Sequence, residues 1–94
     1  MKKYELMTIY KAGLGEDGAR NLSNKVKDIL SSNGGKVLDS TLMGKRKFAY
    51  EINNEREGYY DVITCETTAD SVKKLKNKLN LTEGLIRYLI TAKN

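Results

Sequence analysis

The sequence predicts a single α+β domain in which two helices cover one face of a four-stranded antiparallel sheet. Apolar residues alternate in four stretches and recur at helical spacing in two, so the elements follow the order β-α-β-β-α-β. The 94 residues suffice for one modest core, and we treat 1–94 as one domain. In so short a chain this order is the split βαβ, or ferredoxin-like, arrangement, which leaves the second face of the sheet for a partner.

Composition narrows the classes of function. The net charge of +5 favours a polyanionic partner. The chain has no histidine, the commonest general base and metal ligand, and its one cysteine, Cys65, fits a small buried core residue. No apolar run approaches the roughly 20 residues of a membrane span, and no signal-peptide core follows Met1. We therefore expect a cytoplasmic protein without metal, cofactor, small-molecule substrate or membrane contact.

The first third of the chain predicts a strand, a glycine-rich loop and a helix. The strand covers 2–10, and its alternation places Tyr4, Leu6, Thr8 and Tyr10 on one face and Lys3, Glu5, Met7 and Ile9 on the other. Residues 11–18 are predicted to be the loop. Apolar residues then recur at helical spacing from Ala19 to Leu30, and the pair Gly34-Gly35 ends the helix.

The next stretch is too long for one regular strand. Residues 36–52 all favour an extended backbone, and at ~3.3 Å per residue they would span ~56 Å. A bend or break is therefore expected, either at Ser40-Thr41 or at Gly44, because a glycine inside a strand often marks a bulge.

The second half of the chain predicts a hairpin, a helix and a last strand. The polar segment 53–57 reads as the hairpin loop before a strand over 58–66. Thr67 and Asp70 have the spacing of a capping box that opens the helix, whose apolar stripe is Val72, Leu75 and Leu79. A turn at 80–84 precedes the last strand over 85–91.

One motif favours a different function. Gly13 to Gly18 spells G-x-G-x-x-G between a strand and a helix, with Asp39 21 positions later, which imitates a dinucleotide-binding fingerprint. Against it, Glu16 and Asp17 place negative charge at the helix entrance where a pyrophosphate binds. A small ligand- or nucleotide-binding regulatory domain using this loop stays as the alternative hypothesis.

Cations beside aromatic residues favour nucleic acid as the polyanion. They occur at the start of the first strand, in the run before Phe48 and Tyr50, and beside Tyr88 in the last strand. Cations neutralise phosphates, and tyrosine or arginine side chains stack on exposed bases. The strand over 58–66 does not carry the aromatic motif of an RNA-recognition-motif domain, so base stacking on the sheet is not indicated.

The central motif and several flanking segments resemble the bacterial small-subunit (30S) ribosomal protein six family. The motif runs from Gly44 through Lys45-Arg46-Lys47-Phe48-Ala49-Tyr50-Glu51 to Ile52 and is answered by Gly58-Tyr59-Tyr60. Supporting segments are Met1-Lys2-Lys3-Tyr4-Glu5, Gly34-Gly35-Lys36-Val37 and Leu85-Ile86-Arg87-Tyr88. The family commonly has leucine in place of Phe48 and proline in place of Glu51.

The resemblance implies a ferredoxin-like fold, no enzymatic activity and a place in the small ribosomal subunit. It implies binding to 16S ribosomal RNA together with small-subunit ribosomal protein eighteen, as a heterodimer. The residues that we predict to contact the RNA are Lys2, Lys3, Tyr4, Arg46, Lys47 and Arg87. The RNA helices contacted, and the sheet edge that meets the partner, are left open.

Overall fold

The computed structural model describes residues 1–93 and confirms the predicted ferredoxin-like architecture. The elements are β1 (Lys2–Lys11), a 3-10 turn (Ala12–Leu14), α1 (Gly15–Ser32), β2 (Lys36–Ile52), β3 (Glu55–Thr67), α2 (Ala69–Asn80) and β4 (Leu85–Lys93). The strands form one antiparallel sheet in the order β2-β3-β1-β4, so β1 and β3 are central and β2 and β4 are edges.

The core lies between the two helices and one face of this sheet. From β1 the helix-covered face receives Tyr4, Leu6, Thr8 and Tyr10, the set that the alternation predicts to share a face. The apolar stripes of both helices, including Val26, Leu30, Val72, Leu75 and Leu79, pack against them. Cys65 is buried there as a free thiol, as predicted. Neither helix within residues 1–93 is long and apolar enough to cross a membrane.

Helix α1 begins earlier than the sequence pattern predicts. It starts at Gly15, so the expected loop over 11–18 is instead the end of β1, a 3-10 turn and the first turn of α1. Glu16 and Asp17 lie in that first turn, where negative charge interacts favourably with the helix dipole. The prediction was wrong because the apolar periodicity that it used starts only at Ala19, one turn into the helix.

Strand β2 stays continuous by means of bulges. Its register against β3 shifts between Val37 and Asp39 and again between Leu42 and Gly44. The prediction of a bulge at Gly44 is confirmed, and the backbone there has φ of 89°, which glycine adopts at little steric cost. The prediction of a break at Ser40-Thr41 was wrong, because these residues pair regularly with Ile63 and Val62.

The β2-β3 hairpin closes with a shorter loop than predicted. Only Asn53 and Asn54 separate the strands, and both have positive φ, 49° and 66°. Two consecutive left-handed residues are typical of a type I′ turn, whose twist matches that of the flanking strands. Residues 55–57, predicted as loop, therefore belong to β3.

The start of α2 is displaced by one residue from the predicted capping box. Thr68, not Thr67, is the N-cap, and its side-chain oxygen accepts a hydrogen bond of 3.2 Å from the backbone N–H of Ser71. Thr67 is the last residue of β3 and is buried. The sequence offers two adjacent threonines with similar spacing, so the pattern alone does not choose between them.

Candidate nucleic-acid interface

The sheet places the predicted RNA-binding cations in two groups. Arg46 lies opposite Gly58, and Arg87 lies opposite Ile9, so both are at the end of the sheet where β1 finishes. Lys47 follows Arg46 directly. Lys2 and Lys3 lie at the start of β1. Lys3 is six residues before Ile9, the partner of Arg87, so about 20 Å of strand separates Lys3 from Arg87. The structure therefore places Arg46, Lys47 and Arg87 at one end of the sheet, away from the two N-terminal lysines, with Lys47 on the opposite face of β2 from Arg46 because successive side chains alternate.

Ion pairing distinguishes these cations from their neighbours. Carboxylates compensate Lys45, through Glu57 at 4.0 Å, and Arg56, through Glu51 at 3.2 Å. Lys93 is likewise paired with Glu5 at 3.3 Å. Within residues 1–93, no salt bridge involves the five predicted cations Lys2, Lys3, Arg46, Lys47 and Arg87, all of which are exposed. Their positive charge is therefore free to attract phosphate.

The structure contradicts the assignment of Tyr4 to the RNA-binding surface. Its side chain is 9% exposed and belongs to the hydrophobic core under the helices. Lys3 points to the opposite face because successive side chains of a strand alternate. Adjacency in sequence suggested that tyrosine and lysine would act together, whereas the pleat of the strand separates them.

The tip of the β2-β3 hairpin reaches across the open face of the sheet. The side-chain amide of Asn53 donates a hydrogen bond of 2.9 Å to the carbonyl oxygen of Ile86, which is in β4 at the far edge. The ring of Phe48 meets that of Tyr60 edge to face, with 6.1 Å between centroids. The hairpin is thus held above β1 rather than extending away from the sheet.

The folded hairpin and the open sheet face border a half-open apolar cavity of about 320 Å³. Two of its large apolar side chains are mostly exposed, Tyr50 at 71% and Leu89 at 62%. The full lining is Met7, Ile9, Tyr50, Ile52, Tyr60, Arg87, Tyr88 and Leu89. We call this lined space the open-face cavity. Arg87 lies on its wall, so a positive charge borders the apolar surface.

The alternation within the individual strands does not predict this cavity. Its lining comes from every strand of the sheet, and the long-range fold of the hairpin brings the strands' side chains together. One signal was present: β1 carries apolar residues on both faces, with Met7 and Ile9 on the face away from the helices. A strand that is apolar on both faces indicates that both faces are covered.

Beneath the helices, a buried hydrogen-bonded cluster joins α1 to the sheet. The hydroxyl groups of Tyr10 and Ser23 each donate to Oδ2 of Asp61, at 2.7 and 2.6 Å. Burial raises the pKa of Tyr10 above its ordinary value of 10.0, and the neighbouring Asp61 carboxylate adds to the increase. All three residues are buried, so the cluster fixes α1 against the strands instead of forming a surface site.

The glycine motif has a geometry that disfavours phosphate. Gly13 to Gly18 forms the end of the 3-10 turn and the first turn of α1. Glu16 and Asp17 are exposed at this helix end, and Glu16 is paired with Arg20 at 3.0 Å. Two carboxylates therefore lie where a dinucleotide-binding fold places the pyrophosphate.

Comparisons with known proteins agree over almost the whole chain. The family model described as Ribosomal protein S6 matches residues 3–92. The chain is 35% identical over 91 residues to the small ribosomal subunit protein bS6 of Exiguobacterium sibiricum, which covers 97% of this chain and 96% of that protein. The crystal structure of 30S ribosomal protein S6 from Thermotoga maritima aligns with a TM-score of 0.93 at 33% identity, covering 98% of this chain and 87% of that one. The resemblance drawn from the central motif is confirmed, and the chain belongs to the ribosomal protein S6 family.

Proposed function

We propose that the protein is a structural, non-catalytic constituent of the small subunit of the cytoplasmic ribosome, where it binds 16S ribosomal RNA together with small-subunit ribosomal protein eighteen. Membership of the ribosomal protein S6 family supports this role. The observation that carries the proposal is that Arg87 borders the open-face cavity while Arg46 and Lys47 lie at the same end of the sheet, none of the three in a salt bridge within residues 1–93. A surface that combines unpaired cations with exposed apolar side chains can bind a polyanion and a protein side by side.

Arg46, Lys47 and Arg87 form the principal RNA contact in this proposal. Arginine binds phosphate through two parallel hydrogen bonds, and lysine adds a mobile point charge. Such contacts bring affinity and orientation without reading the base sequence. Lys2 and Lys3 contact phosphates at the opposite end of the sheet, about 20 Å away, and so extend the footprint along the RNA.

The open-face cavity is the docking site for protein eighteen in this proposal. Burying two largely exposed side chains such as Tyr50 and Leu89 is favourable by about 1.5–3 kcal/mol each for full burial. Aromatic anchors in pockets commonly dominate the energetics of an interface. With Arg87 on the cavity wall, the docked protein would lie directly beside the RNA, so protein and RNA contacts would reinforce one another.

The experiment is a salt titration of binding to a central-domain fragment of 16S ribosomal RNA, with and without protein eighteen. We expect tight binding that falls steeply with salt when protein eighteen is present, and much weaker binding without it. In the variant Arg46→Gln/Lys47→Gln, the slope of log K against log salt should fall by about 1.5, because each lost phosphate contact removes about 0.7–0.9.

The matched control replaces two lysines whose charges are already compensated. The variant Lys45→Gln/Lys93→Gln removes the same net charge, but both lysines are paired with carboxylates in the free protein. We expect it to change the slope by less than half as much. Equal slopes for the two variants would show that only net charge matters, and no binding of the wild-type protein under either condition would refute the proposed function.

A further inference from the structure

Much of the positive charge of the chain lies far from the surface described above, on helix α2. The twelve residues of α2 contain four lysines and one aspartate, a net charge of +3 out of +5 for the whole chain. These lysines are Lys73, Lys74, Lys76 and Lys78. Helix α1 is balanced, with three cations, Arg20, Lys25 and Lys27, and three carboxylates, Glu16, Asp17 and Asp28. The net positive charge of the helical layer therefore lies on α2 alone.

The packing of α2 directs all four lysines outward. Val72, Leu75 and Leu79 are buried against the sheet, so the lysines between them lie on the exposed side of the helix. Within residues 1–93, none of the four forms a salt bridge, although Asp70 lies one turn before Lys73 and Lys74. The charge on this face is uncompensated.

The spacing of the lysines is unfavourable in the free protein. Lys73 and Lys76 are three residues apart, and Lys74 and Lys78 are four apart, so both pairs are neighbours on the helix surface and repel each other. A bound polyanion would turn this repulsion into attraction. The step from Lys73 to Lys78 is about 7.5 Å along the axis of α2. Phosphates of one strand of a DNA duplex follow at about 3.4 Å along the duplex axis, so the four lysines are long enough as a row to meet more than one phosphate.

The sheet separates this face from the two arginines of the proposed RNA contact. Arg46 and Arg87 border the open face, whereas α2 lies on the covered face, and the molecule is 22 Å across its smallest dimension. A nucleic-acid segment lying on the open face does not extend to the outer side of α2. The lysines of α2 therefore need a second segment.

We propose that Lys73, Lys74, Lys76 and Lys78 form a second phosphate-binding surface, which contacts a segment of RNA distinct from the one on the open face, so that the protein lies between two RNA segments. This inference rests on the proposed function, because ribosomal RNA is the polyanion that the family membership supplies. The two surfaces are nevertheless formed by different residues and are separable by mutation.

The test compares two four-site variants in the salt titration, with protein eighteen and a fragment long enough to contain the whole central domain. In one, Lys73, Lys74, Lys76 and Lys78 are all replaced by Gln. In the control, Arg20, Lys25, Lys27 and Lys36 are all replaced by Gln, which removes the same charge from α1 and the start of β2. We expect the α2 variant to bind at least tenfold more weakly, with a slope lower by about two, and the control to change by less than threefold.

A second measurement uses the wild-type protein and so does not depend on any variant folding. Lysines are acetylated with a small reagent in the free protein and in the RNA complex, and each site is quantified by mass spectrometry. We expect RNA to slow acetylation of the four α2 lysines several-fold while Lys25 and Lys27 react as in the free protein.

Each outcome bears on one proposal or the other. Normal wild-type binding, with an unchanged slope in the α2 variant or unprotected α2 lysines, overturns the second surface and leaves the proposed function standing. Equal weakening of both four-site variants also overturns it, since the effect would then be that of net charge alone. Absence of wild-type binding overturns the proposed function and this inference together.

Discussion

At the scale of single residues, burial of Tyr10 in its cluster with Asp61 and Ser23 makes the stability of the protein depend on pH in the alkaline range. Unfolded Tyr10 loses its proton near its ordinary pKa of 10.0, whereas in the folded protein burial keeps that proton bound to higher pH. Above pH 10 the folded state therefore binds more protons than the unfolded state. By linkage, the stabilisation is fully present below pH 10 and is lost as the pH rises further.

Replacing Tyr10 by Phe should reveal this dependence. The variant loses the hydrogen bond to the Asp61 carboxylate, so its free energy of unfolding at pH 7 should fall by about 1.5–3 kcal/mol. The difference from wild type should shrink between pH 10 and 11.5, because only the wild type loses stability there through Tyr10. Urea unfolding of both proteins at several pH values measures this difference in the free energy of unfolding. Tyr50→Phe, at a 71% exposed site, is the control and should show no such convergence; a constant Tyr10→Phe difference would contradict the assignment.

The location of the Tyr4 side chain in the core shows how far the sequence determines the role of a residue. Alternation correctly groups Tyr4 with Leu6, Thr8 and Tyr10, but both faces of β1 contain apolar residues. The pattern therefore does not say which face the helices cover. That choice depends on how α1 and α2 cross the sheet, and it decides whether Tyr4 lies in the core or beside Lys3.

At the scale of elements, the β2-β3 hairpin depends on a turn with two left-handed residues. Asn54 has φ of 66° and an exposed side chain, so its conformation, rather than any burial, determines which residues suit the position. Asn54→Ala should lower the free energy of unfolding by about 1 kcal/mol, because alanine is strained in this region. Asn54→Gly removes the same side chain but relieves that strain, so it should stay within about 0.5 kcal/mol of wild type. Thermal or urea unfolding of the pair measures the difference, and equal losses would argue against the type I′ turn.

The elements themselves were more predictable than their junctions. Four strands and two helices follow from the period of their apolar residues, which each segment carries in its own sequence. The bulge at Leu38 does not, because a bulge is defined by two residues facing one on the partner strand, whereas a glycine marks the bulge at Gly44. The reach of the hairpin across the open face depends on the hydrogen bond from Asn53 to Ile86, 33 residues away, for which no local pattern exists.

At the scale of the whole molecule, the cations and the apolar side chains form separate surfaces that one sheet holds in fixed relation. Arg87 belongs to both, since it borders the open-face cavity and lies at the same end of the sheet as Arg46. The five cations that the sequence predicts to contact RNA are all exposed, but the sequence does not predict their division into two groups about 20 Å apart. That division appears only when the antiparallel register is known. Because Arg87 is the only predicted cation among the described residues that line the open-face cavity, contacts with protein and with RNA should respond to different mutations.

Replacing Tyr50 and Leu89 by Ser should therefore remove the protein partner while leaving the cations in place. In the proposed complex each substitution removes an apolar contact with protein eighteen, so affinity for that protein should fall by at least 100-fold, given about 1.5–3 kcal/mol per side chain. Both positions are mostly exposed, so stability should change little.

Leu81→Ser is the control, because Leu81 is 85% exposed but lies in the turn after α2, outside the open-face cavity. Calorimetry with protein eighteen measures the affinity, and the RNA titration without it should give wild-type values. Undiminished affinity for protein eighteen would place its docking site elsewhere. Weakened affinity for protein eighteen, with loss of only the partner-dependent part of RNA binding, would show that protein eighteen docks on this face and supports RNA binding from there.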